Sequence, residues 1–331
     1  MMSPTLDEEG LERDGTTMAV ETAVAPPDAP TASPRRIREP RSDKILHAIM
    51  LTLLCLFTLT IVYPFVYIVS ASFSDPTAVI SGEMWLWPVG FSLDAYQAVL
   101  DYPAITRGFF NSLLYSGAAM LVGTAVTLMG GYALSRRDLV GNGPITMIFV
   151  LTMMFSGGMI PTYLVVKDLG MLNTIWAMIL PGAVSVWQLI VTRTFFQVTI
   201  PHELLECSRL DGANDLRFFA QVVIPLSKPI IAVNLLLYGV ATWNAYFNGL
   251  IYLTDESLYP LQLVMRNILL ENTFDPSKMA NADPTRIAAM QQLADKLKYA
   301  LIIIASVPPL IAYPFVQKHF VKGMMIGSLK G

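Results

Sequence analysis

Few residues in this chain have the types and spacing that chemistry requires. His202-Glu203-Leu204-Leu205-Glu206 comes within one position of the zinc-protease pattern H-E-x-x-H, which sets two histidines on one helix face. The fifth position is Glu206, and the other two histidines, His47 and His319, are far away in the sequence, so the pattern predicts no metal centre. Cys55 lies in an apolar run and Cys207 in a polar stretch, which predicts two unpaired small side chains. No G-x-x-x-x-G-K-[ST] loop is present, so the chain has no motif of its own for ATP hydrolysis. One group of side chains does suit a ligand. Trp243, Asn244, Tyr246 and Asn248 combine aromatic faces that stack on sugar rings with amides that donate to and accept from hydroxyls. The same residues would also serve as glue between membrane helices.

The elements that must position these residues follow from composition. Of 331 residues, 54% are hydrophobic and 14% charged, and the mean hydropathy is +0.52. Soluble domains carry about 25% charged residues, so part of this chain's solvent is lipid. A hydrocarbon core of about 30 Å takes about 20 apolar residues as helix. Six runs qualify: 45–70, 111–135, 144–166, 172–196, 229–253 and 299–316. Backbone groups in lipid must be bonded within the segment, so each run is predicted to be a helix and the chain an all-α membrane protein. Residues 1–44, with TAVAPPDAPTASPRRIREPR, are too polar to fold and are expected to be a disordered tail. The first apolar run comes late and lacks a small-residue cleavage site, which predicts an uncleaved anchor.

Basic residues give the orientation. Arg35, Arg36, Arg38, Arg41 and Lys44 precede the first run, and Arg136 and Arg137 follow the second. Arg209, Arg217 and Lys228 lie between the fourth and fifth, and Lys318, His319 and Lys322 follow the sixth. This places both termini in the cytoplasm. Segments 71–110 and 254–298 are then external; the first carries Trp85, Trp87 and Tyr96, and short helices are expected in both, for instance near 286–298. Within the runs, Ser156, Gly157 and Gly158 with Pro161 interrupt the third, Pro181-Gly182 the fourth, and Pro308-Pro309 and Pro314 the sixth. Such breaks mark gating points or, equally, kinks between closely packed small residues. Gly130-Gly131 suits close packing, and Arg193 is expected to reach the cytoplasmic face. No Asp or Glu lies inside any run, which argues against a proton-coupled secondary transporter.

Between the fourth and fifth runs lies PHELLECSRLDGANDLRFFAQVVIPLSKP, residues 201–229. Pro201 suits a helix start, and Glu203 and Glu206 complement the helix dipole. Asp211-Gly212 is a turn signal, Asn214 or Asp215 can cap a second short helix through Phe218, Phe219 and Val222, and Pro225 and Pro229 are expected to stop it. This is a helix–turn–helix hairpin or, on the same physics, an amphipathic connector on the membrane surface. The segment resembles the Glu-Ala-Ala loop of permease subunits of binding-protein-dependent ABC importers, through Glu206, Cys207, Ser208, Asp211, Gly212, Ala213, Ile224 and Pro225, with Cys207 and Ser208 in place of the two alanines. The form with Leu226, Ser227, Lys228 and Pro229 looks like the carbohydrate-uptake class. SGGMIPTYLVVKDLGMLNT, WNAYFNGLIYLTD and LYPLQLVMRNIL resemble permeases for aldouronates and alginate fragments.

The resemblance covers about 43–331 and implies a type I importer (MetI-like) permease fold of six spans in the bacterial inner membrane. It implies a second homologous permease subunit, two ATPase subunits that carry the ATP and Mg chemistry, and an external sugar-binding protein. Nothing in the sequence suggests nucleic acid. It implies ATPase coupling through Glu203, Glu206, Arg209, Asp211, Gly212, Ala213, Phe218 and Pro225. An importer for another solute class is the nearest competing reading.

Overall fold

The computed structural model describes residues 41–155, 157–271, 297–315 and 317. The chain divides into two compact units, Met1–Thr58 and Leu59–Gly331. In the first, residues 41–58 form the opening turns of helix α1 (Arg41–Ser72). Leu46, Ile49, Leu53 and Phe57 are all exposed there, and the Thr52 and Thr58 hydroxyls donate back to the carbonyls of Ala48 and Leu54. Such self-satisfied hydroxyls on an apolar surface suit lipid. The helix begins at Arg41, inside the stretch expected to be a disordered tail; residues 1–40 lie outside those described.

The second unit holds the remaining helices. Helix α2 (Pro76–Ile80) and helix α3 (Asp94–Leu100) fill the expected external segment 71–110 and lead into α4 (Pro103–Ser135). Then come α5 (Asn142–Met154), α6 (Met159–Asp168), α7 (Trp176–Ile179) with a 3₁₀ turn Leu180–Gly182, and α8 (Val186–Thr199). Next are α9 (His202–Leu210), α10 (Asp215–Phe218), a π-helical turn Phe219–Val223 and α11 (Ile224–Leu226). Last come α12 (Lys228–Trp243), α13 (Tyr246–Tyr252), a 3₁₀ turn Glu256–Leu258, α14 (Leu261–Glu271) and α15 (Leu297–Phe315).

Among the described residues, helices α1, α4 and α15 are each long and apolar enough to cross a membrane; the number reaches six if each bent pair is one span. The third predicted run is two helices, α5 and α6, bent by 115°. Gly158 sits between them at φ +82°, a conformation that costs a side chain dearly. The fourth run, α7 with α8, bends by 53° at Pro181-Gly182. The third bent pair joins Asp215–Leu226 to α12 at 82°, and the fifth run is interrupted at Asn244-Ala245, between α12 and α13. The helix expected near 286–298 falls mostly outside the described residues; 297 and 298 already belong to α15.

Helix α4 is the central element, packed on α8, α12 and α14. Missing side chains permit the approach: a Cβ at Gly123 would lie 2.8 Å from the Tyr238 ring, and one at Gly131 would lie 3.0 Å from Thr192 Cγ2. Gly131 is thus a packing residue, as the sequence suggested. Polar contacts lock the same faces. Thr127 Oγ1 and Tyr238 Oη are 2.6 Å apart, and Asn234 Nδ2 donates to Thr192 Oγ1 at 2.9 Å. Such bonds between membrane helices contribute about 0.6 kcal/mol each, so packing carries most of the stability. Gly123→Val is expected to destabilise the detergent-solubilised protein by about 1–3 kcal/mol through overpacking; a melting temperature equal to wild type would contradict the close approach.

Candidate functional site

The hairpin of residues 201–229 is built from local rules. Pro201 caps α9 in an extended conformation (φ −62°, ψ 144°), and Glu203 lies in the first turn. Glu206 Oε1 lies 3.0 Å from His202 Nδ1, one helical turn back, which is what the near-match to a zinc motif amounts to here. The helix ends in a Schellman motif: the Gly212 N–H donates to the Arg209 carbonyl at 3.1 Å and the Ala213 N–H to the Ser208 carbonyl at 2.9 Å. Gly212 makes the reversal at φ +77°. Asn214, one of the two predicted caps, accepts the Arg217 N–H on its side-chain oxygen at 2.8 Å and starts α10.

One prediction is corrected. Pro225 does not stop the second helix. The π-helical turn Phe219–Val223 precedes it, the chain continues as α11 through Pro225, and the break comes at Ser227. Pro225 stands in the first turn of α11, where a missing N–H is tolerated.

Two apolar side chains anchor the hairpin. Leu205 and Phe218 are buried in one cluster with Leu128, Phe196 and Val223, and Tyr132 of α4 packs against Phe219 with ring centroids 5.0 Å apart. Glu203, Glu206, Arg209, Asp211 and Gly212 face outward, Ala213 is half-buried and Pro225 is exposed. Leu210 and Leu216 are 89% and 79% exposed at the tip, so an apolar edge sits among charges.

A polar brace joins both arms of the hairpin to the end of α4. The Arg136 guanidinium donates to Tyr132 Oη at 2.9 Å, to Asp138 at 2.5 Å and to Asp215 at 2.9 Å. Arg209 on α9 reaches the same Asp138 at 3.1 Å. Arg136 holds the Asp138 carboxyl well below the usual carboxylate range, and Arg209 adds to the effect. A depressed folded value stabilises the brace above the unfolded value and fails only as pH falls through the folded one. The melting-temperature difference between wild type and Asp138→Asn is therefore expected to stay flat from about pH 8 to about pH 5 and to shrink below about pH 4. Arg136 entered the sequence reading only as a sidedness marker, and Asp138 did not enter it at all. Their partners lie 71 and 79 residues away, which no local pattern reports. Beside the brace, a cleft of about 510 Å³ opens among Tyr132, Arg137, Gln197, His202 and Glu203.

The predicted pathway residues do not form one surface. Trp243 is buried between helices: its Nε1–H donates to the Ala305 carbonyl of α15 at 2.9 Å and its ring meets Phe109 edge-on. It is a packing residue. Asn244 is exposed and caps α12, donating to the Val240 carbonyl at 2.9 Å. Tyr246 is exposed against Phe247, and Asn248 is half-buried. Gly157 is exposed in the break between α5 and α6; Ser156 lies outside the described residues. Arg193 donates from Nε to the Leu134 carbonyl at 2.9 Å, at the same end of α4 as the brace. Asn173, at φ +57°, ties the other end: its Oδ1 accepts the Thr254 and Asp255 N–H groups at 3.0 and 2.9 Å.

Broken membrane helices packed around α4, with a rigid hairpin braced between the fourth and fifth spans, define a polytopic transport subunit. The chain belongs to the family described as binding-protein-dependent transport system inner membrane component, whose profile matches residues 143–326. It is the permease of an ABC importer, and ATP hydrolysis belongs to a separate subunit. It is 40% identical over 296 residues to the polygalacturonan/rhamnogalacturonan transport system permease protein YtcP of Bacillus subtilis (strain 168), across 87% of this chain and 99% of that protein. It is 27% identical to the melibiose/raffinose/stachyose import permease protein MelC of the same organism, across 75% and 84%. Among solved structures it is similar to a bacterial ABC transporter involved in the import of the acidic polysaccharide alginate, with 31% identity, a TM-score of 0.77, and 85% and 99% of the two chains covered.

Proposed function

We propose that this chain forms half of the translocation pathway of an importer for oligosaccharides, with uronate-containing ones as the preferred class. The similarity to permeases named for polygalacturonan and alginate supports that substrate class. A second, homologous permease completes the pathway. Two ATPases bind on the cytoplasmic side, where both termini also lie, and an external sugar-binding protein docks on segments 71–110 and 254–298.

The observation that carries the coupling role is the brace. A hairpin tied by Arg136, Asp138 and Asp215 to the end of α4 moves with that span and cannot swing as a free loop. In this reading Glu203, Glu206 and Asp211, with Leu210 and Leu216, face the ATPase. Gly212 and Ala213 form the turn, Arg209 joins α9 to the brace, Phe218 anchors the hairpin and Pro225 leads into the fifth span. Closure of two ATPases around ATP then pushes on α4 and α12 together, the kind of two-state rigid movement that such coupling needs.

Co-purification with the partner permease, ATPase and binding protein, followed by ATPase assay with a panel of loaded oligosaccharides, tests this. Stimulation by a uronate oligosaccharide is the expected result; a chain that purifies without any ATPase would sink the proposal.

A further inference from the structure

The break in the fourth span leaves a small, open and mostly apolar groove between the start of α8 and α12. It holds about 290 Å³ and is lined by Gly182, Ser185, Trp187 and Gln188 around the α8 start and by Leu237, Tyr238 and Ala241 of α12. That volume is at the lower end for ligand pockets and suits one ring of a longer chain. Three features converge on it. First, α8 is a 14-residue helix that begins here, with Ser185 as its cap accepting the Gln188 N–H at 3.4 Å. The Val186 and Trp187 N–H groups donate to nothing among the described residues. Second, Gln188 is 5% exposed, yet its side-chain amide makes no hydrogen bond among the described residues. The amide lines the groove, so its donors and acceptor are available to a ligand there. Third, Trp187 is 54% exposed beside it, presenting an aromatic face.

We infer that this groove is a subsite for one uronate ring of the translocated oligosaccharide, an inference that rests on the importer reading above. The ring carboxylate meets the free N–H groups and positive dipole of the α8 start, as anions do at helix N-termini. The Gln188 amide pairs with ring hydroxyls or with the carboxylate itself, and Trp187 stacks on the sugar face. No basic side chain lines the groove. The positive character therefore comes from backbone dipoles alone, which hold an anion in a low-dielectric site without the deep trap of a buried Lys or Arg. Passage requires such weak, repeated binding. The spans need no buried cation to carry an acidic sugar.

The test uses the complete importer in proteoliposomes, with trigalacturonate as the transported probe and Gln188→Glu, Gln188→Leu and Trp187→Ala as variants. Glutamate at position 188 supplies its own carboxylate to the α8 start and repels the sugar's. Its transport rate is expected to fall about tenfold or more, the worth of a charge-assisted contact, with Gln188→Leu and Trp187→Ala falling several-fold. ATPase activity stimulated by the loaded binding protein stays within about twofold of wild type, because docking and hairpin are untouched. Variants that transport trigalacturonate at the wild-type rate overturn the subsite. So do variants that lose the partner permease on purification, which would make the groove an assembly contact, and so does a wild type that carries only neutral oligosaccharides. A wild type whose ATPase responds to no oligosaccharide overturns the importer reading instead.

Discussion

Glu206→Lys and Gly212→Asp are each expected to reduce oligosaccharide uptake to background while the protein still inserts and assembles with its partner permease. Neither change has a large internal cost. The Glu206 side chain is 64% exposed, and its partner among the described residues, His202, is itself 48% exposed; an exposed pair of this kind contributes about 0–1 kcal/mol. A Cβ at Gly212 would meet nothing within 4 Å, so space is not the obstacle. The residue does adopt φ +77°, which costs an ordinary L residue about 1–2 kcal/mol, and aspartate is among those that tolerate it best. A total loss of uptake therefore reports a surface presented to another subunit and not a collapsed hairpin. Uptake of labelled oligosaccharide, together with the amount of protein in the membrane fraction and of ATPase that co-purifies, separates the two causes. Both variants transporting normally would remove the hairpin from the coupling path.

Arg136→Ala carries the second largest expected effect, by a different route. The guanidinium is 13% exposed at its side chain and holds Asp138 and Asp215, which are 47% and 61% exposed. Removal leaves Asp215 and the Tyr132 hydroxyl without this donor, while Asp138 keeps Arg209 at 3.1 Å. Hydrogen bonds to charged groups are worth about 1.5–3 kcal/mol, and the exposure of both aspartates puts this case at the lower end. The hairpin remains anchored by Leu205 and Phe218. The expected outcome is therefore uncoupling: ATP hydrolysis persists while transport per ATP falls roughly tenfold, the equivalent of about 1.4 kcal/mol in the coupled equilibrium. Asp215→Asn should reproduce part of the effect and add little to Arg136→Ala, because they share one contact. Additive losses in the double variant, or an unchanged ratio of transport to hydrolysis in Arg136→Ala, would show that the hairpin and α4 move independently.

Much of this protein was legible in the sequence because the signals are local. Lipid demands about 20 apolar residues per helical span, and the runs around 45–70, 111–135 and 299–316 meet that demand as single helices in α1, α4 and α15. The hairpin is written in caps and turns that act over a few residues. Pro201, Asp211-Gly212 and Asn214 stand at its start, reversal and restart, as their backbone preferences require. Glycines and prolines inside the third and fourth runs announced breaks, and the chain bends there by 115° and 53°.

Tertiary structure decided which partner each side chain meets. Trp243 and Asn244 are chemically suited to a sugar, yet the indole turns inward to Ala305 and the amide is spent on its own helix. Gln188 and Trp187 drew no attention as residues in an apolar run; only the bend before α8 opens a groove beside them. Arg136 reads as a marker of membrane sidedness until folding brings Asp215 to 2.9 Å across 79 residues. Apolar periodicity and turn preferences are set by neighbours along the chain, so sequence alone determines spans and hairpin. Ion pairs and cavities are set by how helices bend and pack, and those distances exist only in the folded chain.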